Sequence, residues 1–207
     1  MKKLLCLLLA ATLLFGAAAC GKPQNTAPVN SPVSTPGTES STDTAGRVLV
    51  LYFSATGSTK AVAEYIAAAA GGTPFAITPA EPYTQADLNW SDPDSRVCRE
   101  HDAPESRRIA QEQTAVPDWQ GYDTVYLGYP IWWGIAAWPV SSFAAANDFT
   151  GKTVIPFCTS ASSGLGSSGT LLAEAAGTGR WLEGIRFASG ADEATVAAWV
   201  QTVQAAQ

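Results

Sequence analysis

Beyond residue 46, hydrophobic runs alternate along the chain with segments that have helical spacing. The first run, Arg47–Phe53, is almost wholly apolar and rich in β-branched and aromatic residues, which is typical of a strand buried on both faces of a parallel sheet. A hydroxyl-rich turn follows, and a segment rich in Ala, Glu and Ile then predicts a helix that ends at Gly71–Gly72. The same alternation predicts strands at 47–53, 73–78, 123–128, 152–158 and 180–189, and helices at 60–70, 137–146, 166–176 and 192–204.

Five strands that alternate with helices predict an α/β fold, because right-handed crossovers wind such strands into a doubly wound parallel sheet. Residues 81–120 do not fit this repeating unit, since they are polar and rich in turn-forming residues. Long connections of this kind are more often functional than passive. We therefore expect residues 81–120, called the excursion below, to be an insertion that serves a site.

The first twenty residues have the layout of an export signal. Two lysines precede the uncharged, apolar stretch Leu4–Ala19, and small residues stand immediately before Cys20. This predicts a cleaved signal peptide at 1–19 rather than a membrane-spanning helix, which needs about 20 apolar residues. The stretch resembles a bacterial lipoprotein signal, in which the cysteine becomes lipidated, although the three alanines before the cysteine also fit ordinary secretion.

Residues 20–46 change abruptly in composition, with prolines interleaved among Ser, Thr, Asn and Gly. Such a stretch cannot bury enough apolar area to offset its ordering entropy, so it predicts a disordered linker. The folded domain then comprises residues 47–207. We expect an exported, extracytoplasmic protein that is attached to the bacterial cell membrane only through a lipid on Cys20.

Composition narrows the chemistry that the domain can perform. The chain has 12 basic and 18 acidic residues and a formal net charge of -6; it lacks the cationic surface that nucleic acid requires, so we expect no nucleic acid partner. A single His leaves little material for a metal site or a triad, so we expect no metal and no catalytic side chain. Four Cys are too few for a disulfide scaffold. Cys158 fits a core position, and whether it pairs with Cys98 stays open.

Three loops follow predicted strands, and ligands of open α/β sheets bind at the carboxyl ends of strands. The first loop, 54–59, offers four hydroxyls and a glycine at a strand-to-helix turn. Backbone N–H groups, hydroxyls and a helix N-terminus together suit a phosphate dianion without Lys or Arg. A plain N-cap is the alternative, although one cap needs only one hydroxyl. Nucleoside triphosphates are disfavoured, because the Gly-Lys-Ser/Thr ending of a P-loop is absent.

The other two loops suit a flat heteroaromatic ring. The second loop, Gly128–Gly134, contains two adjacent tryptophans that can stack on such a ring. Because adjacent side chains point in different directions, we expect Trp132 to pack inward and Trp133 to face the ligand. The third loop, Cys158–Gly166, is rich in small residues and glycines, which let backbone N–H and C=O groups approach a ring edge closely.

These motifs resemble the flavodoxin family, and in particular its exported, flavodoxin-like lipoprotein branch. The matching stretches are Leu51–Thr59, Tyr122–Gly134 and Gly151–Ser160, and Tyr83–Trp90 of the excursion also looks like the exported branch. The resemblance implies a flavodoxin-like, five-stranded parallel sheet of order 2-1-3-4-5 and non-covalently bound FMN. It implies cofactor-binding residues in all three loops, namely Ser54, Ala55, Thr56, Gly57, Ser58, Thr59, Pro130, Ile131, Trp132, Trp133, Gly134, Thr159, Ser160, Ala161, Ser162 and Gly164.

The resemblance also implies a function, which is electron transfer through FMN by an exported protein. We expect a monomer whose acidic surface attracts basic redox protein partners. We also expect a low potential for the second electron, because an acidic domain disfavours a negatively charged reduced ring. One alternative is an FMN-dependent NAD(P)H/quinone-type reductase for a small acceptor, with Tyr83, Arg96 and His101 as candidate groups. Another is an FMN-free domain used for binding or cell-surface attachment.

Overall fold

Residues 46–207 are the part of the chain that the computed structural model describes, and strands alternate with helices in it as the hydrophobic pattern predicts. The strands are β1 (Arg47–Tyr52), β2 (Thr73–Ala76), β3 (Tyr122–Trp132), β4 (Ile135–Ala136), β5 (Thr153–Ser160), β6 (Arg180–Trp181) and β7 (Ile185–Ala188). The helices are α1 (Ser58–Ala70), α2 (Arg96–Asp102), α3 (Trp138–Ala146), α4 (Ser168–Ala176) and α5 (Glu193–Ala205). The predicted signal peptide 1–19, Cys20 and residues 21–45 of the predicted linker lie outside the described residues.

The sheet has the predicted order, with five positions across its width. Its strands follow one another as β2-β1-β3-β5, and β6 and β7 share the fifth position, where both pair in parallel with β5. Helices α1 and α5 cover one face of the sheet, and α3 and α4 cover the other. The doubly wound α/β fold is therefore confirmed.

The fifth strand is interrupted, whereas the sequence pattern predicts a single strand at 180–189. Leu182–Gly184 separates β6 from β7. The carbonyl oxygens of Lys152, just before β5, and of Val154, within β5, accept hydrogen bonds from backbone N–H groups of this neighbouring segment. Pro156 is the next residue of β5 that faces the segment. Because proline has no N–H to donate, the ladder breaks opposite it. The prediction of one continuous strand was wrong for this reason.

Strand β3 is longer than predicted and contains part of the second loop. It runs on through Trp132 and turns back into the short antiparallel strand β4, with Ile131 opposite Ala136. The turn itself is only Trp133–Gly134, and Ala137 N–H closes the hairpin by donating to Pro130 O at 3.1 Å. The second loop is therefore a hairpin that projects past the edge of the sheet.

The core lies on both faces of the central strands. In β1, Leu49 and Leu51 face the layer of α3 and α4, whereas Val50 between them faces the layer of α1 and α5. All three side chains are fully buried. Successive side chains of a strand point to opposite faces, and both faces of this sheet are covered. This explains why β1 is apolar at every position after Arg47.

The excursion carries helix α2 and a short 3-10 turn, Pro104–Arg107, before it returns to the sheet. It is fastened to α3 through Ser142, whose hydroxyl accepts from Ile109 N–H at 2.9 Å and donates to Arg107 O at 3.1 Å. The excursion is thus an ordered part of the domain.

None of the helices within residues 46–207 is long and apolar enough to cross a membrane.

A buried lysine holds the connection between the excursion and β3. Lys152 is only 3% exposed, and its ammonium donates to Trp119 O and Tyr122 O, both at 2.7 Å. The same ammonium lies 4.7 Å from the centre of the Trp119 ring. The Lys152 ammonium therefore satisfies two backbone carbonyl oxygens and contacts the face of one aromatic ring.

We expect Lys152→Met to lower the free energy of unfolding by about 1–3 kcal/mol, because Trp119 O and Tyr122 O would both lose a charged hydrogen-bond donor. Urea unfolding followed by circular dichroism measures this. The matched control is Lys60→Met, since Lys60 is exposed and paired only with the exposed Glu64; this change should leave stability nearly the same. Equal stabilities for the two variants would contradict the assignment.

Candidate functional site

The three predicted loops lie together at the carboxyl edge of the sheet. In the ladders, Tyr52 stands opposite Gly128, and Gly128 stands opposite Phe157, so β1, β3 and β5 deliver their following residues to the same edge. The buried hydroxyls of Thr59 and Thr159 then join the first and third loops through a hydrogen bond of 2.8 Å. The loops thus form one structure, although Thr59 and Thr159 use their hydroxyls on each other.

The first loop presents an uncapped helix end. Gly57 precedes α1 with φ at 96°, and among the described residues no side chain caps this helix. The Ser54 hydroxyl instead accepts the N–H of Gly57 at 3.1 Å and shapes the turn. The plain N-cap interpretation is therefore not what the structure shows. Free N–H groups at the start of a 13-residue helix, next to hydroxyls, suit an anion.

The second loop holds Trp133 in a strained backbone conformation. Trp133 has φ at 45° and Gly134 has φ at 80°, which are the positive values that a two-residue type I′ hairpin turn requires. For a residue other than glycine this costs about 1–2 kcal/mol. The Trp133 ring stacks on His101, with centroids 4.5 Å apart, and lies near-parallel to Trp138 at 6.1 Å. These contacts offset the strain.

The two adjacent tryptophans differ in their surroundings. Trp132 packs edge-on against Phe53, Tyr83 and Trp138, with centroid distances of 5.6, 5.2 and 5.6 Å. Trp133 stays 43% exposed. Because Trp133 already stacks on His101, the part of its ring that is left for a ligand is smaller than the sequence suggests.

Two adjoining cavities form a crevice between these loops and the excursion. The larger, of about 910 Å³, reaches from Ala55 and Thr56 to excursion residues that include Tyr83 and Asn89. The smaller, of about 380 Å³, lies between the second and third loops. Leu88 and Trp90 line both cavities, so the two cavities adjoin along this part of the excursion. Its size is that of ordinary small-molecule sites.

Most of the predicted residues line the crevice or flank it. Those that line the two cavities are Ala55, Thr56, Ile131, Trp132, Trp133, Ser160, Ala161 and Ser162. Ser54 and Gly57 line a third cavity, of about 400 Å³, which shares Ala55 and Tyr83 with the larger crevice cavity. Those that belong to the loops without lining the two crevice cavities are Ser58, Thr59, Pro130, Gly134, Thr159 and Gly164.

Trp90 lines this site but lies outside the three loops that the sequence predicts to form it. It belongs to the excursion, is 76% exposed, and lines both cavities. Its backbone carbonyl accepts from the Cys98 thiol at 3.4 Å. An indole left so open to water is unusual unless something covers it, and the only sequence signal was a tryptophan within a polar, turn-rich segment.

The polar groups of the excursion fix its internal shape. Glu100, only 6% exposed, accepts from the Tyr83 hydroxyl at 2.6 Å and from Arg96 Nε at 2.7 Å. The Arg96 guanidinium also lies 4.0 Å from the centre of the Tyr83 ring. Burial, and then the hydrogen bond to Glu100, raise the pKa of Tyr83 far above its ordinary value. Tyr83 and Arg96 are thus committed to packing, and His101 is committed to its stack on Trp133.

Cysteine and metal chemistry gain no support from the described residues. Cys98 and Cys158 are both buried and are not bonded to each other. Burial raises the pKa of the Cys158 thiol to about 12, so it stays protonated at neutral pH. Within residues 46–207, His, Cys, Asp and Glu side chains form no cluster that could hold a metal ion.

Known proteins share this fold and sequence pattern. A family model described as Flavodoxin matches residues 47–203. A crystal structure of a candidate flavoprotein from Bacteroides uniformis is 40% identical, with a TM-score of 0.70, and covers 75% of this chain and 98% of its own. A similar protein from Bacteroides eggerthii is 39% identical, with a TM-score of 0.69, and covers 76% of this chain and 98% of its own.

A more distant structure, of a flavoprotein from Lactobacillus acidophilus in complex with FMN, shares the fold at 21% identity. It covers 75% of this chain and 99% of its own, with a TM-score of 0.52. No curated protein matches the chain. The family match extends over most of the sequence and over all three loops of the crevice, so the chain belongs to the flavodoxin family.

Proposed function

We propose that this chain binds FMN non-covalently in the crevice and works as an electron-transfer protein. The observation that carries the proposal is the crevice itself, which has the Thr56 hydroxyl at one end, next to the uncapped N-terminus of α1, and the exposed indoles of Trp90 and Trp133 farther along. That pairing suits a molecule with a phosphate tail and a flat ring. The Lactobacillus flavoprotein, which was solved with FMN, supports it by its shared fold.

The residues of the chain would bind and orient the cofactor. The first loop would take the phosphate with N–H groups and the hydroxyls of Ser54, Thr56 and Ser58. Trp90 and the second loop would cover the ring and keep water from it, because they border the smaller cavity together with the third loop. FMN supplies reversible one- and two-electron chemistry when it is bound, and the protein adjusts its environment.

Charge favours protein partners of opposite sign. The chain carries six more acidic than basic residues, and an acidic surface steers basic proteins toward it at low ionic strength. We therefore propose a monomeric carrier with basic redox partners. The same acidic charge would disfavour addition of the second electron to the ring.

A second candidate function is reduction of a small acceptor such as a quinone. The observation in its favour is that the excursion walls the larger cavity, where Gln85, Ala86 and Asn89 lie beside Trp90. An enclosed space next to the ring would select small planar molecules by shape. This candidate requires that a nicotinamide reductant and a small acceptor both reach the ring.

Absorption spectroscopy of the purified protein with FMN tests the proposal. We expect a shift of the flavin bands on binding, and photoreduction in which the two electrons enter in separate steps. Uptake of both electrons in one step, near the potential of free FMN, would count against the carrier role. Steady-state oxidation of NAD(P)H by a quinone, without a helper reductase, would favour the second candidate. A protein that does not bind FMN at micromolar concentration would contradict both candidate functions.

Gly57→Ala tests the shape of the first loop. An added Cβ would meet nothing within 4 Å, so its effect comes only from the backbone φ of 96°, and we expect a loss of about 1–2 kcal/mol in the free energy of unfolding. Because the relaxed loop would move its N–H groups, FMN affinity should also fall. Gly190→Ala is the matched control, since its Cβ is equally free and its φ is not positive. Unchanged FMN affinity in Gly57→Ala would separate this turn from phosphate binding.

We also propose that the chain is exported and lipid-anchored, on the sequence pattern of residues 2–20 alone. Mass spectrometry of the mature protein from bacterial membranes should find Cys20 as the first residue, with a diacylglyceryl group on its sulfur. The variant Cys20→Ala should be released from the membrane fraction. A free thiol on an N-terminal Cys20 would indicate ordinary secretion instead.

A further inference from the structure

An arginine on the fifth position of the sheet braces the third loop from behind. Arg186 lies in β7, in register with Cys158 of β5. Its Nη2 donates to the carbonyl oxygens of Ser160 and Ala161, both at 2.9 Å. Its Nε donates to the Ser160 hydroxyl at 3.1 Å, and that hydroxyl in turn donates to Ser163 O. One guanidinium therefore contacts two successive peptide groups and a side chain of the loop.

These contacts fix the direction of two amides of the third loop. Peptide groups are planar and trans, so each N–H points opposite to the C=O of the same group. Because the carbonyls of Ser160 and Ala161 are turned toward Arg186, the N–H groups of Ala161 and Ser162 are turned away from it. Residues 160–163 line the smaller cavity, beside Trp132 and Trp133. The loop's N–H donors are thus set by a residue outside the loop.

The charge of Arg186 is not neutralised by a carboxylate. None of the ion pairs among residues 46–207 includes Arg186. Its positive charge therefore acts through the peptide groups that it holds, which it polarises, since a hydrogen bond from a charged donor is stronger than one from a neutral donor. In an acidic domain this places a local positive potential behind the third loop.

We propose that Arg186 is a positioning residue for the ring of the cofactor, an inference that rests on the proposed binding of FMN. The planar guanidinium, with its several N–H donors (the fork), fixes the Ala161 and Ser162 N–H groups as donors to a polar edge of the ring. This strengthens FMN binding in either oxidation state. Its charge also favours the reduced, negatively charged ring. Arg186 therefore partly offsets the effect of the acidic domain on the second electron.

Two substitutions separate the fork from the charge. Arg186→Lys keeps the charge but loses the planar, multi-point contact, whereas Arg186→Gln loses the charge. Arg180→Gln is the matched control, because Arg180 is an exposed residue of β6 that pairs opposite Thr153, at the other end of β5. Circular dichroism and urea unfolding of the apoproteins establish that each variant is folded.

The measurements are FMN dissociation constants, redox potentials and hydrogen exchange of the loop amides. We expect both Arg186 variants to bind oxidised FMN about tenfold more weakly than wild type, which corresponds to loss of about one hydrogen bond from the loop to the ring. We expect Arg186→Gln to weaken binding of reduced FMN by about a further threefold to tenfold, because only this variant removes the charge. Without FMN, amides 160–164 should exchange faster in both variants. Arg180→Gln should change none of these.

The outcomes distinguish this inference from the proposed function. Wild-type protein that does not bind FMN would overturn both. Wild type that binds FMN, with folded Arg186 variants that match Arg180→Gln in affinity, potential and loop exchange, would overturn only the role of Arg186. If Arg186→Gln does not fold, the conservative Arg186→Lys still decides the role of the fork through affinity and exchange, and a wild-type result for it would overturn that role.

Discussion

Parallel pairing of β1, β3 and β5 is the constraint on which the site depends. Parallel strands end at the same edge of a sheet, so residues that are far apart in sequence must meet there. The Thr59–Thr159 hydrogen bond, which spans one hundred positions, is a direct consequence. The pairing is stable because both faces of the sheet are covered, and side chains such as Val50 and Leu51 are fully buried on opposite faces. Without that burial the loops would have no common frame.

The crevice combines a rigid frame with locally strained or uncapped elements. The first loop leaves the N-terminus of α1 without a side-chain cap, and the second loop holds Trp133 at positive φ. Both features cost free energy that contacts elsewhere must offset. Stacking on His101 and Trp138 supports the hairpin, and Arg186 supports the third loop. The site is thus held by residues of the sheet, of α3 and of the excursion.

The excursion gives the domain a wall that a minimal five-stranded fold does not have. Its internal shape is fixed by the bonds of Tyr83 and Arg96 to the buried Glu100, and Ser142 fastens it to α3. A buried carboxylate is tolerable only when it is paired and hydrogen-bonded in this way. Trp90 can therefore stand exposed over the crevice while the segment that carries it is ordered. If FMN binds as proposed, this wall would limit which partners can approach the ring from that direction.

Much of this architecture follows from the sequence by itself. Hydrophobic periodicity determines the order and type of the elements, and hydroxyls or small residues after strands determine where a ligand site lies, because both are local properties of the chain. Only the tertiary structure decided how distant residues meet. It broke the fifth strand opposite Pro156, turned the second loop into a hairpin, and brought Trp90 to the crevice and Arg186 to the third loop. Such contacts depend on register and side-chain geometry between segments that lie far apart in the chain, and no local pattern encodes them.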